Sequence, residues 1–152
     1  MPKINFIKMH GLGNDFVIID KRYQDVAITK DLIINLSDRK SGPGCDQLIT
    51  INSSKQSNID AVIEIFNPNG DKAEACGNGT RCVAKLLFDE TGKEEINILS
   101  DSGVLKAVNT NNGDISVNLG ELSADWEKIP LSEKIDTLNV PIKINGFNED
   151  KN

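Results

Sequence analysis

Short apolar runs separated by polar, glycine-rich breaks dominate the chain, and this pattern predicts strands more than helices. Ile4–Met9 reads as a first strand, rich in β-branched and aromatic residues, and it breaks at His10–Asp15, where two glycines permit tight turns. Phe16-Val17-Ile18-Ile19 is a continuous apolar run, the mark of a strand covered on both faces. Thr29 has the chemistry of a helix N-cap, Asp31 suits the first turn, and Leu32, Ile33 and Leu36 supply one apolar face. Ser41-Gly42-Pro43-Gly44 stops that helix. Gln47–Ile51 and Ile59–Phe66 read as strands, with a turn at Asn67-Pro68-Asn69-Gly70. A second helix is expected from Gly77 to Asp89, ending before Gly92, with Val83, Leu86 and Leu87 as its stripe. Ile96–Leu99, Val104–Val108 and Ile115–Leu119 complete the strands, the last two joined by an Asn112-Gly113 hairpin turn. Leu138, Val140, Ile142 and Ile144 alternate with other residues and predict a final strand, before a polar tail from Asn148. About eight strands and two helices with irregular alternation make an α+β fold, a strongly curved sheet with segregated helices.

Composition narrows the class. At 152 residues the chain is long enough to bury a core without staples. A net charge of −6 argues against nucleic acid as the main partner. Three cysteines, Cys45, Cys76 and Cys82, are too few and odd in number for a disulfide scaffold. No apolar run approaches the roughly 18 residues of a membrane span, and Met-Pro-Lys-Ile-Asn-Phe does not read as a signal peptide. The expectation is a cytoplasmic protein that binds neither nucleic acid nor membrane.

Three segments carry candidate chemistry. Gly11-Leu12-Gly13-Asn14-Asp15-Phe16 lacks the third glycine and the following helix of a dinucleotide fingerprint, so it reads as a hairpin turn in which Asn14 offers amide donors and an acceptor. Asp38–Gln47 reads as a helix stop and loop, or as a loop closing on a small polar ligand. In Glu74–Cys82 the sharpest feature is Cys76, at the expected start of the second helix. The first N–H groups of a helix act as about half a positive charge, which favours a thiolate, lowers a thiol pKa and can grip a carboxylate. Glycines there let a ligand approach the backbone. The alternative for Cys76 is a small buried apolar residue. Cys82, inside the helix, is read as core. The Cys76–Cys82 spacing and the single histidine, His10, argue against a metal site or a Cys-His nucleophile.

Taken together, Phe6-Ile7-Lys8-Met9-His10-Gly11-Leu12-Gly13-Asn14-Asp15-Phe16, Asp38-Arg39 through Gly44-Cys45-Asp46-Gln47, Ile65-Phe66-Asn67-Pro68-Asn69-Gly70 and Ala75-Cys76-Gly77-Asn78-Gly79-Thr80-Arg81-Cys82 resemble the diaminopimelate epimerase family, with Val117-Asn118-Leu119-Gly120 similar to a later strand. The resemblance covers residues 3 to about 144. It implies a curved mixed sheet wrapped around a central helix. It also implies an epimerase without cofactor that interconverts LL- and meso-diaminopimelate in lysine and peptidoglycan precursor synthesis. By resemblance, Cys76 is one of two acid/base thiols, Gly77 and Asn78 donate N–H groups to the substrate α-carboxylate, and Asn14, Gln47 and Asn67 are substrate-contacting amides. Cys45 matches no catalytic role.

The family implies two facing domains, and the second thiol belongs to the second. Residues 1–118 are read as the first domain and 119–152 as the opening strands of an incomplete second one. The partners expected are diaminopimelate, a separately encoded C-terminal half that supplies the missing thiol, and further copies of the chain in a homo-oligomer. Two alternatives stand beside this reading: a catalytically inactive remnant, and a same-fold isomerase of the proline-racemase or phenazine-biosynthesis kind acting on another substrate.

Overall fold

A computed structural model describes residues 3–110, 112–129 and 131–141. The chain divides into two compact units, one through Leu119 and one from Gly120 onward. The first contains β1 (Ile7–Gly11), β2 (Asn14–Asp20), α1 (Lys30–Ser37), β3 (Gln47–Asn52), β4 (Ala61–Phe66), β5 (Lys72–Ala73), α2 (Gly77–Thr91), β6 (Glu95–Ser100), β7 (Gly103–Asn109) and β8 (Ile115–Asn118). One mixed sheet runs β1-β2-β3-β4-β6-β7-β8, with β5 added beside β4. The pairs β2/β3 and β4/β6 are parallel and the others antiparallel.

Period-two alternation sorts the strand residues into two cores. Phe16 and Ile18 of β2, Ile49 and Ile51 of β3 and Ile63 and Ile65 of β4 face α2, where they meet Val83, Ala84, Leu87 and Phe88. Val17, Ile19, Leu48 and Phe66 face the other way and pack with Ile33 of α1 and Cys45. The continuous run in β2 is therefore covered on both faces, as its sequence predicts. Helix α2 packs against both end strands, β1 and β8, as well as β2, β6 and β7, so the sheet curls around it. Burial of a side chain such as Leu87, 1% exposed, contributes roughly 2 kcal/mol.

Thr29 caps α1 as expected, its Oγ1 accepting from Leu32 N at 3.2 Å. Helix α2 starts at Gly77 and extends two residues past its expected end, closing on Gly92 in the left-handed region. The first strand lies later than its composition suggests. The turn after β1 takes only Leu12 and Gly13, both at positive φ (56° and 87°), as a two-residue hairpin with the right twist requires. His10 and Gly11 thus join β1, and Asn14 and Asp15 open β2. Asn109 pairs with Ile115 across the β7–β8 hairpin, where Gly113 has φ 80°, consistent with the predicted turn.

In the second unit the described residues hold a 3₁₀ turn at Trp126–Lys128, with Asp125 Oδ1 accepting from Glu127 N. The strand predicted around Leu138–Ile144 does not form over Leu138–Pro141, where Leu138 is 80% and Val140 43% exposed. Ile142 and Ile144, and the tail from Asn148, lie outside the described residues.

Candidate active site

The start of α2 is built around Cys76. It is the N-cap, in extended backbone, and its Sγ accepts from Gly79 N at 3.4 Å. Thr80, fully buried, donates from both N and Oγ1 to Cys76 O at 2.9 Å each, which fixes the cap against the first turn. The N–H groups of Gly77 and Asn78 belong to the first turn and have no partner within the helix. A Cβ on Gly79 would stand 2.6 Å from Ile49 Cδ1 and 3.3 Å from Phe16 Cε1, so only glycine lets the turn sit this close to β2 and β3. Gly11 of the hairpin lies against Asn78, where an added Cβ would come 3.4 Å from the asparagine Cβ.

Register brings the amides to the same end of the sheet. Asn14 opens β2, and Gln47, which opens β3, is the partner of Phe16. Leu48 pairs with Phe66, so Asn67 follows directly beside Gln47, and Gln47 Nε2 donates to Asn67 Oδ1 at 3.2 Å. Asn14 reaches the cysteine: the Cys76 thiol donates to Asn14 Oδ1, with Sγ and oxygen 3.6 Å apart. Thus Cys76, Asn14, Gly77 and Asn78 form one cluster, and Gln47 with Asn67 a second pair on neighbouring strands.

The cluster rests on a charged network that the sequence reading did not single out. Asp15 accepts from Lys8 Nζ (2.7 Å), from both terminal nitrogens of Arg39 (3.0 and 2.6 Å) and from Asp46 N (2.9 Å). Asp46 in turn accepts from Arg39 (2.8 Å), Asp15 N (3.0 Å) and Asn14 Nδ2 (3.1 Å). The available signal was position, since each acid is adjacent to a candidate amide. The loop from Asp38 is fastened at its other end: Asp38 Oδ1 accepts from Lys40 N, and Gly44 N donates to Leu36 O. Gly44, at φ 67°, leaves room for Arg39, whose Cα would lie 2.8 Å from a Cβ there. In this structure the loop braces the hairpin.

The Arg39 guanidinium, aided by Lys8 and the Asp46 N–H, holds the Asp15 carboxyl well below the usual carboxylate range, although partial burial pushes it the other way. A group depressed in the folded state contributes stability above its unfolded pKa, near pH 4, and loses it as pH falls further. Asp15→Asn should therefore be less stable than the parent near neutrality, and the gap should narrow as pH drops from about 4 toward 2. Thermal melting across that range checks this, and parallel curves for the two proteins would refute it.

The three cysteines differ in access. Cys45 and Cys82 are buried, while Cys76 is half-buried. Cys45 donates to Ser37 Oγ at 3.4 Å, and burial pushes the Cys82 thiol up. Iodoacetamide should accordingly label Cys76 first in the folded chain at neutral pH, by roughly tenfold or more over the buried pair. Peptide mass spectrometry reads this directly, and equal labelling of all three would contradict the placement. No hydrogen bond among the described residues joins His10 to Cys76, and none of their His, Cys, Asp or Glu side chains group in threes that could hold a metal ion. Among the described residues, no helix is long and apolar enough to cross a membrane.

Residues 6–124 match the family model described as diaminopimelate epimerase. A diaminopimelate epimerase of Pelagibacter ubique is 49% identical over 148 residues, which cover 97% of this chain and 53% of that protein. One from Rhodospirillum centenum is 40% identical over 136 residues, 90% of this chain and 47% of its own length. The chain thus spans about half the length of these curated relatives. Among solved structures, a hydroxyproline epimerase from Agrobacterium vitis with bound trans-4-OH-L-proline superposes with a TM-score of 0.58 at 16% identity, over 74% of this chain and 40% of that one. At that identity the likeness is one of fold, and it agrees with the curved mixed sheet around α2.

Proposed function

Because the chain belongs to the diaminopimelate epimerase family, we propose that it supplies one half of an active site that interconverts LL- and meso-diaminopimelate by two-thiol acid/base chemistry. The observation that carries this reading is the placement of Cys76: a half-buried thiol on a helix N-cap, held between Gly79 N and the Asn14 carboxamide.

The chemical problem is the weak acidity of an amino-acid α-C–H. Charge developing at the α-carbon spreads into the α-carboxylate, so donors aimed at that carboxylate lower the barrier. The first-turn N–H groups of Gly77 and Asn78 are suited to this, since they are paired to nothing in the helix and carry its positive end. Cys76 exchanges a proton with one face of the α-carbon. Asn14, Gln47 and Asn67 orient the ammonium and carboxylate groups. Inversion needs a second acid/base group on the opposite face, which this reading assigns to a second domain. Residues 1–118 then form the first domain, and 119–152 the opening of the second. The reaction uses no cofactor and belongs to lysine and peptidoglycan precursor synthesis in the cytoplasm, with the chain assembled as a homo-oligomer.

Reconstitution tests the proposal. The chain, mixed with the C-terminal half of the Pelagibacter ubique relative, should interconvert the LL and meso forms. A folded, associated mixture that is inert would leave an inactive remnant as the better reading. Racemisation of proline in place of diaminopimelate would point to the same-fold alternative.

A further inference from the structure

The orientation of the Asn14 carboxamide follows from its neighbours. The Asp46 carboxylate can only accept, so the amide must turn Nδ2 toward it, and the 3.1 Å contact is of that kind. Oδ1 is left facing Cys76 Sγ at 3.6 Å. Asp46 is itself held in place by Asp15 N and by Arg39. An amide oxygen accepts from a thiol but offers nothing to a thiolate, whereas an amide N–H does the reverse.

We propose that Asp46 is a positioning residue for Cys76: by holding Asn14 Nδ2, it presents the amide oxygen to the sulfur and keeps the S–H hydrogen-bonded. Among the described residues no hydrogen bond joins Asp46 to Cys76 or to the α2 N-terminus, and Asp46 acts through Asn14. The other charged or titratable groups around the contact are Asp15, Lys8 and Arg39 on the hairpin and loop, and Arg81 and Cys82 on α2. The inference rests on Cys76 being an acid/base thiol, but its test reads the thiol in the isolated chain and not turnover. A negative result here and a negative reconstitution are therefore separate outcomes.

The test compares Asp46→Ala and Asp46→Asn by Cys76 alkylation at pH 7, with folding followed by circular dichroism. In Asp46→Ala the carboxamide is free to turn its N–H groups to the sulfur, and the Cys76 rate should rise roughly fivefold, the order set by one net hydrogen bond. In Asp46→Asn the new amide oxygen still accepts from Asn14 Nδ2, so the rate should stay within about twofold of the parent. Equal acceleration in both variants would assign the effect to lost charge alone and overturn the proposal, as would no change in either. Should Asp46→Ala fail to fold, the unsubstituted chain still decides by nuclear magnetic resonance. Its Asn14 carboxamide protons should exchange with solvent more slowly than those of exposed Asn35, and equal exchange would overturn the proposal.

Discussion

Cys76→Ser is expected to leave the fold intact and to lower LL/meso interconversion by the reconstituted enzyme roughly 10²–10⁴-fold, the range over which one positioned acid/base group acts. The two halves of that expectation have separate causes. As an N-cap, serine is at least as good as cysteine: its Oγ can accept from Gly79 N, and the Thr80 bonds go to the backbone carbonyl, which is unchanged. As an acid/base group, an alcohol ionises far less readily than a thiol and exchanges protons with a carbon acid poorly. Melting curves and progress curves on the same sample separate the two. A variant that melts with the parent and turns over at the parental rate would remove Cys76 from the chemistry.

Gly79→Ala is the second large effect, and it falls on stability. Alanine is the better helix former by about 1 kcal/mol, which would normally favour the change. Here the new methyl would meet Ile49 Cδ1 at 2.6 Å, with Phe16 Cε1 at 3.3 Å and Cys76 Sγ at 3.5 Å. Ile49 and Phe16 are fully buried, so neither can swing into solvent. Overpacking of this kind costs roughly 1–3 kcal/mol, or about 4–12 °C of melting temperature for a domain of this size. Gly77→Ala is the internal control. Its nearest neighbour is Leu119 Cδ1 at 3.2 Å, and Leu119 is well exposed, so helix propensity offsets the contact and the melting point should move little. Equal melting points for the two alanine variants would contradict this account of the α2–sheet contact.

The elements with strong local signals were legible in the sequence. The unbroken run Phe16–Ile19, the Thr29 cap and the glycine-led start of α2 each have a single physical reading, and each is where it was expected. What escaped was set by tertiary pairing. The β1 boundary moved because Leu12 adopts φ 56°, which composition does not favour at a leucine. The two-residue β5 exists only because β4 is there to pair with it. The alternation at Leu138 and Val140 marks a strand only where some face receives it.

At the site, the residue types came from the family resemblance, and their grouping is a matter of register. No local pattern tells that Asn14 and Cys76, 62 residues apart, come within hydrogen-bonding distance. Nor does one tell that Asp15, Arg39 and Asp46 lock together, since charges in a glycine-rich loop usually read as solvated. Adjacent acids beside adjacent amides were the one trace of that network in the chain.

Strand β2 carries a further consequence for how the chain finds its fold. Phe16, Val17, Ile18 and Ile19 are apolar on both sides, so hydrophobicity alone barely distinguishes the correct face from the inverted one. Polar bonds at the head of the strand add what burial does not: Asn14 meets the Cys76 thiol, Asp15 meets Arg39 and Lys8, and Asp46 bonds to both. The polar head of β2 thus marks the correct face of the strand with hydrogen bonds that an inverted strand would forfeit.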